Sequence, residues 1–315
     1  MSKNRKIIRL LIAIAALLLI IFTLYGMSSD NEDTVKIGYL PTDHDSALFV
    51  ANATGMFEDA GIDVELHEYN NGGDLMSAMA SGELDVGYVG LPPVIYSMTK
   101  GVPIKIVAGA QNEGSGLVCQ NSSINSTSDL KDKIVATPGE ASIQSVLLKY
   151  DLNKSGLNIS DIESPSMKVS SMNDALRTDS IDAMLTYEPY VTISKEINNQ
   201  NLVENSSEIL SDHPCCVVVM SEKFLSGNLN KAKKFIEIHN NATEKIKENP
   251  EGAVQYLPSH IVPNPEVEKD SLTHIKWVSN LTDDYKENVD NFLNIEKDLG
   301  IINETLPQDK LYAKI

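Results

Sequence analysis

His213-Pro214-Cys215-Cys216 places one imidazole and two thiols within four residues. These are the side chains of metal ligation, thiol exchange and nucleophilic catalysis. Asp43-His44-Asp45 sets a second imidazole between two carboxylates, a grouping suited to acid–base work or to a hard metal ion. Neither set has a zinc spacing, since adjacent cysteines rarely chelate one ion well and no further ligand cluster stands near Asp43 to Asp45. The plain reading of His44 is a loop histidine satisfied by its neighbours, and the plain reading of Cys119, Cys215 and Cys216 is small buried residues. The chain has no Gly-x-Ser-x-Gly elbow and no Walker loop. No enzyme activity, metal or cofactor is therefore expected.

The elements that must position these groups follow from periodicity. Strands are expected over 35–40, 62–66, 86–89, 104–110, 133–137, 167–170, 181–185 and 215–220. Helices are expected over 47–54, 75–81, 93–100, 141–150, 173–177, 231–248, 270–278 and 286–299, with Asp74 as an N-cap and Gly55 as a C-terminal stop. Strand–helix alternation at this spacing implies a parallel sheet covered on both faces. The pattern restarts after a Ser/Asn-rich stretch over 121–129, so two α/β lobes with a helical C-terminal portion are expected.

Ligands in open α/β sheets bind beyond the carboxyl ends of the strands. That rule selects the loops 41–45, 90–93, 111–115, 137–142, 186–189 and 212–214. Several run into helix starts, which offer unpaired N–H groups and a positive dipole end to an oxyanion. Gly90 and Gly139 leave room for close approach, and Tyr187 offers an apolar wall with a hydroxyl. None of these loops holds Lys or Arg, which points to dipole-based recognition.

Composition narrows the partners. The formal net charge of −18 argues against nucleic acid and anionic lipid. Residues 1–9 are basic, and residues 10–27 form an uncharged apolar run long enough to span a bilayer, with acidic residues after it. A cleaved signal peptide is the competing reading, but the run is long and its cleavage site poor, so a retained anchor is expected, with the rest extracellular. Asn-x-Ser/Thr sequons at Asn52, Asn121, Asn125, Asn153, Asn158, Asn205, Asn241, Asn280 and Asn303 make sense as glycosylation acceptors only on an exported surface. Asn52, inside an expected helix, is the poorest acceptor.

Four segments carry a resemblance: GYLPTDHDSALFVANATGMFEDAGIDVEL, SGELDVGYVGLPPVI, ATPGEASIQSVLLKYDLNKSGL and SIDAMLTYEPYVT. In their order and spacing they resemble the substrate-binding proteins of ABC importers for sulfonates, taurine and nitrate, with thiamine-pyrimidine-precursor binders as near relatives. The resemblance implies a type II periplasmic-binding-protein-like fold: lobe one over 34–117 plus 219–315, lobe two over 118–218, and hinge crossings near 117–120 and 216–220. It maps the pocket onto Asp43, His44, Gly90, Leu91, Pro92, Gln111, Asn112, Thr137, Gly139, Ser142 and Glu188; Tyr187 and His213 join from the loop reading. Glu188 is read as bracing its loop before touching ligand. If Cys119 opposes Cys215 or Cys216 across the hinge so implied, a disulfide would staple it. The implied role is a monomer that captures a small sulfonate-like solute and hands it to a permease and its ATPase. Glu140, Asp43, Asp45 and Glu188 depart from an anion pocket and tilt the cargo away from bare inorganic anions. Nitrate, bicarbonate or a thiamine pyrimidine precursor is the alternative cargo, and a pyrimidine-precursor synthase on the same fold is the alternative class.

Overall fold

The computed structural model describes residues 34–120, 123–262 and 264–315. The expected anchor over 10–27 lies outside them. Among the described residues no helix is long and apolar enough to cross a membrane.

The first sheet has six strands in the order β10-β4-β9-β3-β1-β2. β1 (Val35–Tyr39) pairs in parallel with β2 (Val64–Glu68) and β3 (Val86–Gly90). β9 (Pro214–Ser221) lies antiparallel between β3 and β4 (Ile104–Glu113), and β10 (Ile275–Trp277) adds an antiparallel edge to β4. The expected all-parallel sheet is thus corrected to a mixed one. β9 returns from the second sheet and enters from the opposite end. All eight of its residues are buried, as a central strand covered on both faces requires.

The second sheet runs β6-β7-β5-β8. β6 (Val135–Ala136) and β7 (Ala183–Tyr187) are parallel, while β5 (Ser115–Cys119) is antiparallel to both β7 and β8 (Asn201–Asn205). Side chains alternate along a strand. Leu117, Cys119 and Leu185 accordingly join the large core, while Val118 and Met184 face a smaller one built with Met172, Leu176 and Val191.

Three element expectations change. Asn71, not Asp74, caps the helix Gly72–Ser81: its side chain accepts from the Asp74 amide at 2.9 Å and donates to the Asp74 carboxylate at 2.8 Å. The expected strand over 167–170 is only a bridge from Thr137 to Ser166, after which the helix Val169–Arg177 begins. The expected helix over 270–278 divides. Asn264 and Pro265 start the helix Pro265–Ser271, and the chain then turns into β10, where Ile275 and Trp277 are buried on one side and Lys276 is exposed.

The chain leaves the first sheet at Glu113 and enters the second at Ser115, through two residues with left-handed backbone, Glu113 (φ 61°) and Gly114 (φ 77°). It returns through Asp212 (φ 59°) into β9. The two passages are tied together. Glu113 N–H donates to the His213 carbonyl at 3.1 Å, and the Glu113 carboxylate accepts from the Asp212 amide at 2.7 Å. Both passages fall several residues before the crossings expected at 117–120 and 216–220. This rules out the expected disulfide. Cys119 sits at the far end of β5 opposite Ala183, with its Sγ 3.6 Å from the Ile124 carbonyl, whereas Cys215 and Cys216 begin β9. Cys215 and Cys216 are free thiols, and Cys119 is joined to neither.

Candidate functional site

A cleft of about 420 Å³ opens between the two sheets. Four helices begin on it. Gly72 and Gly73 open Gly72–Ser81, Gly90 precedes Leu91–Thr99, Ser142 precedes Ile143–Lys154, and Lys168 precedes Val169–Arg177. The first amides of a helix have no partner within it. In two of these helices the cap takes only the third amide: Asn71 binds Asp74 N–H at 2.9 Å and Ser142 binds Ser145 N–H at 3.1 Å. The earlier amides and the positive dipole ends are left to the cleft. A side chain at Gly90 would meet nothing closer than Pro93 at 3.9 Å, so its absence enlarges the cleft rather than relieving a clash.

The floor is His44, Cys215 and Cys216, all buried yet facing the cleft. Thr42 accepts from the His44 amide at 3.3 Å and starts the short turn Asp43–Asp45. The flanking carboxylates turn away from the cleft. Asp45 accepts from the Leu40 amide at 3.0 Å, and Asp43 accepts from the Ser271 hydroxyl at 2.7 Å. His44 alone of the three is left pointing in. Its Nδ1 lies 3.7 Å from Cys215 Sγ and 3.9 Å from Cys216 Sγ, and the sulfurs are 3.9 Å apart. Adjacent strand residues normally face opposite ways. Here the β4–β9 register shifts between Gly109 and Gln111 and again before Asn112, beside the start of β9, and such irregularities re-aim side chains. Burial opposes charge on His44, but the Cys215 sulfur outweighs it, with Asp43 and Asp45 adding, and the pKa is pushed up to about 9. The hydrogen bond with Cys216 and then His44 hold the Cys215 thiol well below its usual range, while Cys216 is pushed up. Burial raises Asp45 to about 8. The Tyr187 ring stands 5.3 Å from the His44 ring, and Tyr190 stands 6.1 Å beyond it.

Of the residues singled out in the sequence, His44, Gly90, Gly139, Ser142 and Tyr187 line the cleft, as do Cys215, Cys216 and Glu140, whose carboxylate brings negative charge to the cleft wall. The other residues expected in the pocket do not. Asp43 lies behind His44. Leu91 and Pro92 are buried in the first helical turn, and Pro93 lines the cleft instead. Gln111 is buried within β4, and Asn112 donates to the Asp212 carbonyl at 3.2 Å, bracing the crossing. Thr137 is buried and its amide donates to the Pro165 carbonyl at 3.1 Å. Glu188 braces its loop, accepting from the Thr192 amide at 3.0 Å and meeting His274 Nδ1 at 3.0 Å. His213 stacks on Phe292 at 6.5 Å, and burial lowers its pKa.

Cleft residues that sequence reasoning missed are Asn70 to Gly73, Met167 to Ser170, Tyr190, Cys215 and Cys216 as lining groups. The strand-end rule applied to β2 would have found the first group. The second was hidden by reading 167–170 as a strand, and it contains Lys168, an exposed cation at the cleft. The cleft thus offers one side-chain cation beside its helix starts.

Solved structures share this architecture. The ligand-binding component of an ABC-type import system from Staphylococcus aureus, with zinc bound, superposes with a TM-score of 0.79 at 21% identity, covering 90% of this chain and 97% of that one. The alkanesulfonate-binding protein SsuA from Xanthomonas axonopodis pv. citri, bound to MOPS, gives 0.78 at 18% identity, covering 90% and 99%. In sequence, a Bacillus subtilis protein provisionally named an aliphatic sulfonates-binding protein is 27% identical over 71% of this chain and 69% of its own length. The fold is thus the α/β periplasmic-binding-protein-like one. The NMT1-like family model matches residues 28–256, and the chain belongs to that family.

Proposed function

We propose that this chain is the extracytoplasmic solute-binding component of an ABC-type importer, and that its solute is a small organic sulfonate. The observation that carries this reading is the convergence of four helix starts and Lys168 on one cleft of about 420 Å³. Helix starts hold an oxyanion through amides and dipoles, and a cleft of this size suits a small molecule. Tyr187 and Tyr190 give the organic part of the solute an aromatic wall. That wall favours an alkanesulfonate or taurine over bare nitrate. His44, Gly90, Gly139, Ser142 and Tyr187 are the expected contacts. The captured solute passes to a permease and its ATPase, a role supported by the structural likeness to the ligand-binding component of an ABC-type import system.

The test is thermal unfolding of the purified protein with alkanesulfonates, taurine, nitrate and bicarbonate. A solute at about a hundredfold excess over Kd stabilises by about 2.7 kcal/mol, several degrees of Tm for a chain of this size. Gly90→Leu, whose Cβ would meet nothing closer than Pro93 at 3.9 Å, is expected to keep the Tm and abolish the shift. No shift with any sulfonate sinks the sulfonate assignment, and a shift that survives Gly90→Leu sinks the cleft as its site.

A further inference from the structure

The floor of the cleft has a chemistry that holding an anion does not call for. His44 Nδ1, Cys215 Sγ and Cys216 Sγ form a near-equilateral triangle with edges of 3.7, 3.9 and 3.9 Å. A tetrahedral ion with sulfur ligands at about 2.3 Å and an imidazole nitrogen at about 2.0 Å needs S–S edges of about 3.8 Å and N–S edges of about 3.6 Å. The three donor atoms therefore already stand close to where such an ion would hold them. All three residues are buried, and all three line the cleft.

We propose that His44, Cys215 and Cys216 form a binding site for a thiophilic metal ion, zinc by its geometry, whose fourth coordination position opens into the cleft. Two thiolates and an imidazole suit zinc or another soft ion and disfavour calcium and magnesium. The carboxylate that would orient the histidine is in place. His44 Nε2 is buried without a hydrogen-bond partner among the described residues and lies 3.9 Å from Asp43 Oδ1. With metal on Nδ1, Nε2 carries the hydrogen and directs it at that carboxylate, the arrangement by which acids orient metal-bound histidines. Asp43 is itself anchored by the Ser271 hydroxyl at 2.7 Å. Gly90 pairs with Cys216 across β3 and β9, which fixes the start of β9 beside the cleft. Three protein ligands with an open fourth position is the pattern of metal centres that act on a bound molecule rather than merely cross-linking the chain. The ion would also bring positive charge to a floor that otherwise carries buried acids, which suits an anionic guest.

The test uses the reduced, metal-free full chain with Co2+ as the spectroscopic probe and no solute present, so that its failure leaves the solute reading untouched. One Co2+ per chain is expected, with a sulfur-to-cobalt charge-transfer band and the intense visible bands of a tetrahedral ion, both lost on adding Zn2+. Cys215→Ser with Cys216→Ser should lose the charge-transfer band, and Cys119→Ser should keep it. His44→Gln retains both thiols and should weaken Co2+ binding by at least about tenfold, since even outer-shell losses reach that size. Circular dichroism checks each variant's fold. Should the double serine variant fail to fold, the wild-type spectrum and His44→Gln decide. Absence of a sulfur band in the wild-type protein, its survival in the double variant, or an unchanged affinity in His44→Gln overturns the site.

Discussion

His239 and His44 are both buried, at 1% and 3% exposure, yet their surroundings are opposite. His239 lies on the helix Leu229–Glu248 in the core. Its Nδ1 meets the Tyr88 hydroxyl at 3.0 Å and its Nε2 meets the Gly109 carbonyl at 2.8 Å. The carbonyl can only accept, so Nε2 carries the hydrogen and Nδ1 accepts from Tyr88, which fixes a neutral ring. Burial accordingly pushes its pKa down to about 4. His44 has two sulfurs on one nitrogen and no hydrogen-bond partner on the other, and its pKa is pushed up to about 9. Burial is common to both and separates nothing. What differs is whether the fold has used up the ring's bonding capacity.

The largest expected effect tests that difference directly. His239→Ala leaves the Tyr88 hydroxyl and the Gly109 carbonyl buried without partners and opens a cavity, so a loss of about 3 kcal/mol or more is expected in urea unfolding. His44→Ala should cost less than His239→Ala, because the space faces the cleft and what is lost is the attraction of the ring to Cys215, Asp43 and Asp45 rather than two satisfied hydrogen bonds. Binding should rank the other way, with the solute-induced Tm shift lost in His44→Ala and kept in His239→Ala. Equal stability losses would break the comparison.

The contrast also marks where sequence reasoning stopped. Alternation and turn residues placed β1, β3, β4, β9 and most long helices within a few residues, because both faces of those strands bury apolar side chains. Short or weakly apolar elements escaped. β8 (Asn201–Asn205) is half polar, and β10 is three residues whose place is set by pairing with β4. At the site, His44, Gly90, Gly139, Ser142 and Tyr187 were legible because each stands at a strand end or a helix start. The partnership of Cys215 and Cys216 with His44 was not. In sequence the histidine beside them is His213, and only the pairing of β9 with β3 brings the start of β9 to the loop after β1. Contacts between segments so distant leave no local pattern to read.

Gly114 and Gly55 sharpen the same contrast at smaller scale. Both are left-handed, at φ 77° and 76°, so alanine costs about 1–2 kcal/mol at either. A Cβ at Gly55 meets nothing within 4 Å, whereas one at Gly114 lies 3.1 Å from His44 Nε2 and 3.2 Å from Ile275. Gly55→Ala should therefore lower stability and leave solute affinity unchanged. Gly114→Ala should lower both, because it presses the crossing against the cleft floor. Isothermal titration of the two variants decides; equal affinities would mean that His44 tolerates the displacement.

The smallest effect is a pH dependence at a contact between residues that flank the two sheets. Glu188 follows β7 in the second sheet, and His274 precedes β10 in the first; they meet at 3.0 Å. The hydrogen bond to Glu188 raises the His274 pKa, Asp270 adds to it, and burial and Lys195 oppose it. A folded-state pKa above the unfolded value of about 6.5 contributes stability that is fully present below that pH and is lost as pH rises through the folded pKa. The His274 side chain is 37% exposed, so solvent screening keeps the contribution to about 0.5 kcal/mol or less. Wild type should therefore exceed His274→Asn in Tm by a degree or so near about pH 5.5, and the gap should close in mildly alkaline solution. Because the pair ties the loop after β7 to the turn before β10, the same protonation should also hold the two sheets together around the cleft, and solute affinity should fall with rising pH in wild type but not in His274→Asn. A Tm gap that closes with no change in affinity would place the contact in the fold alone and remove it from solute binding.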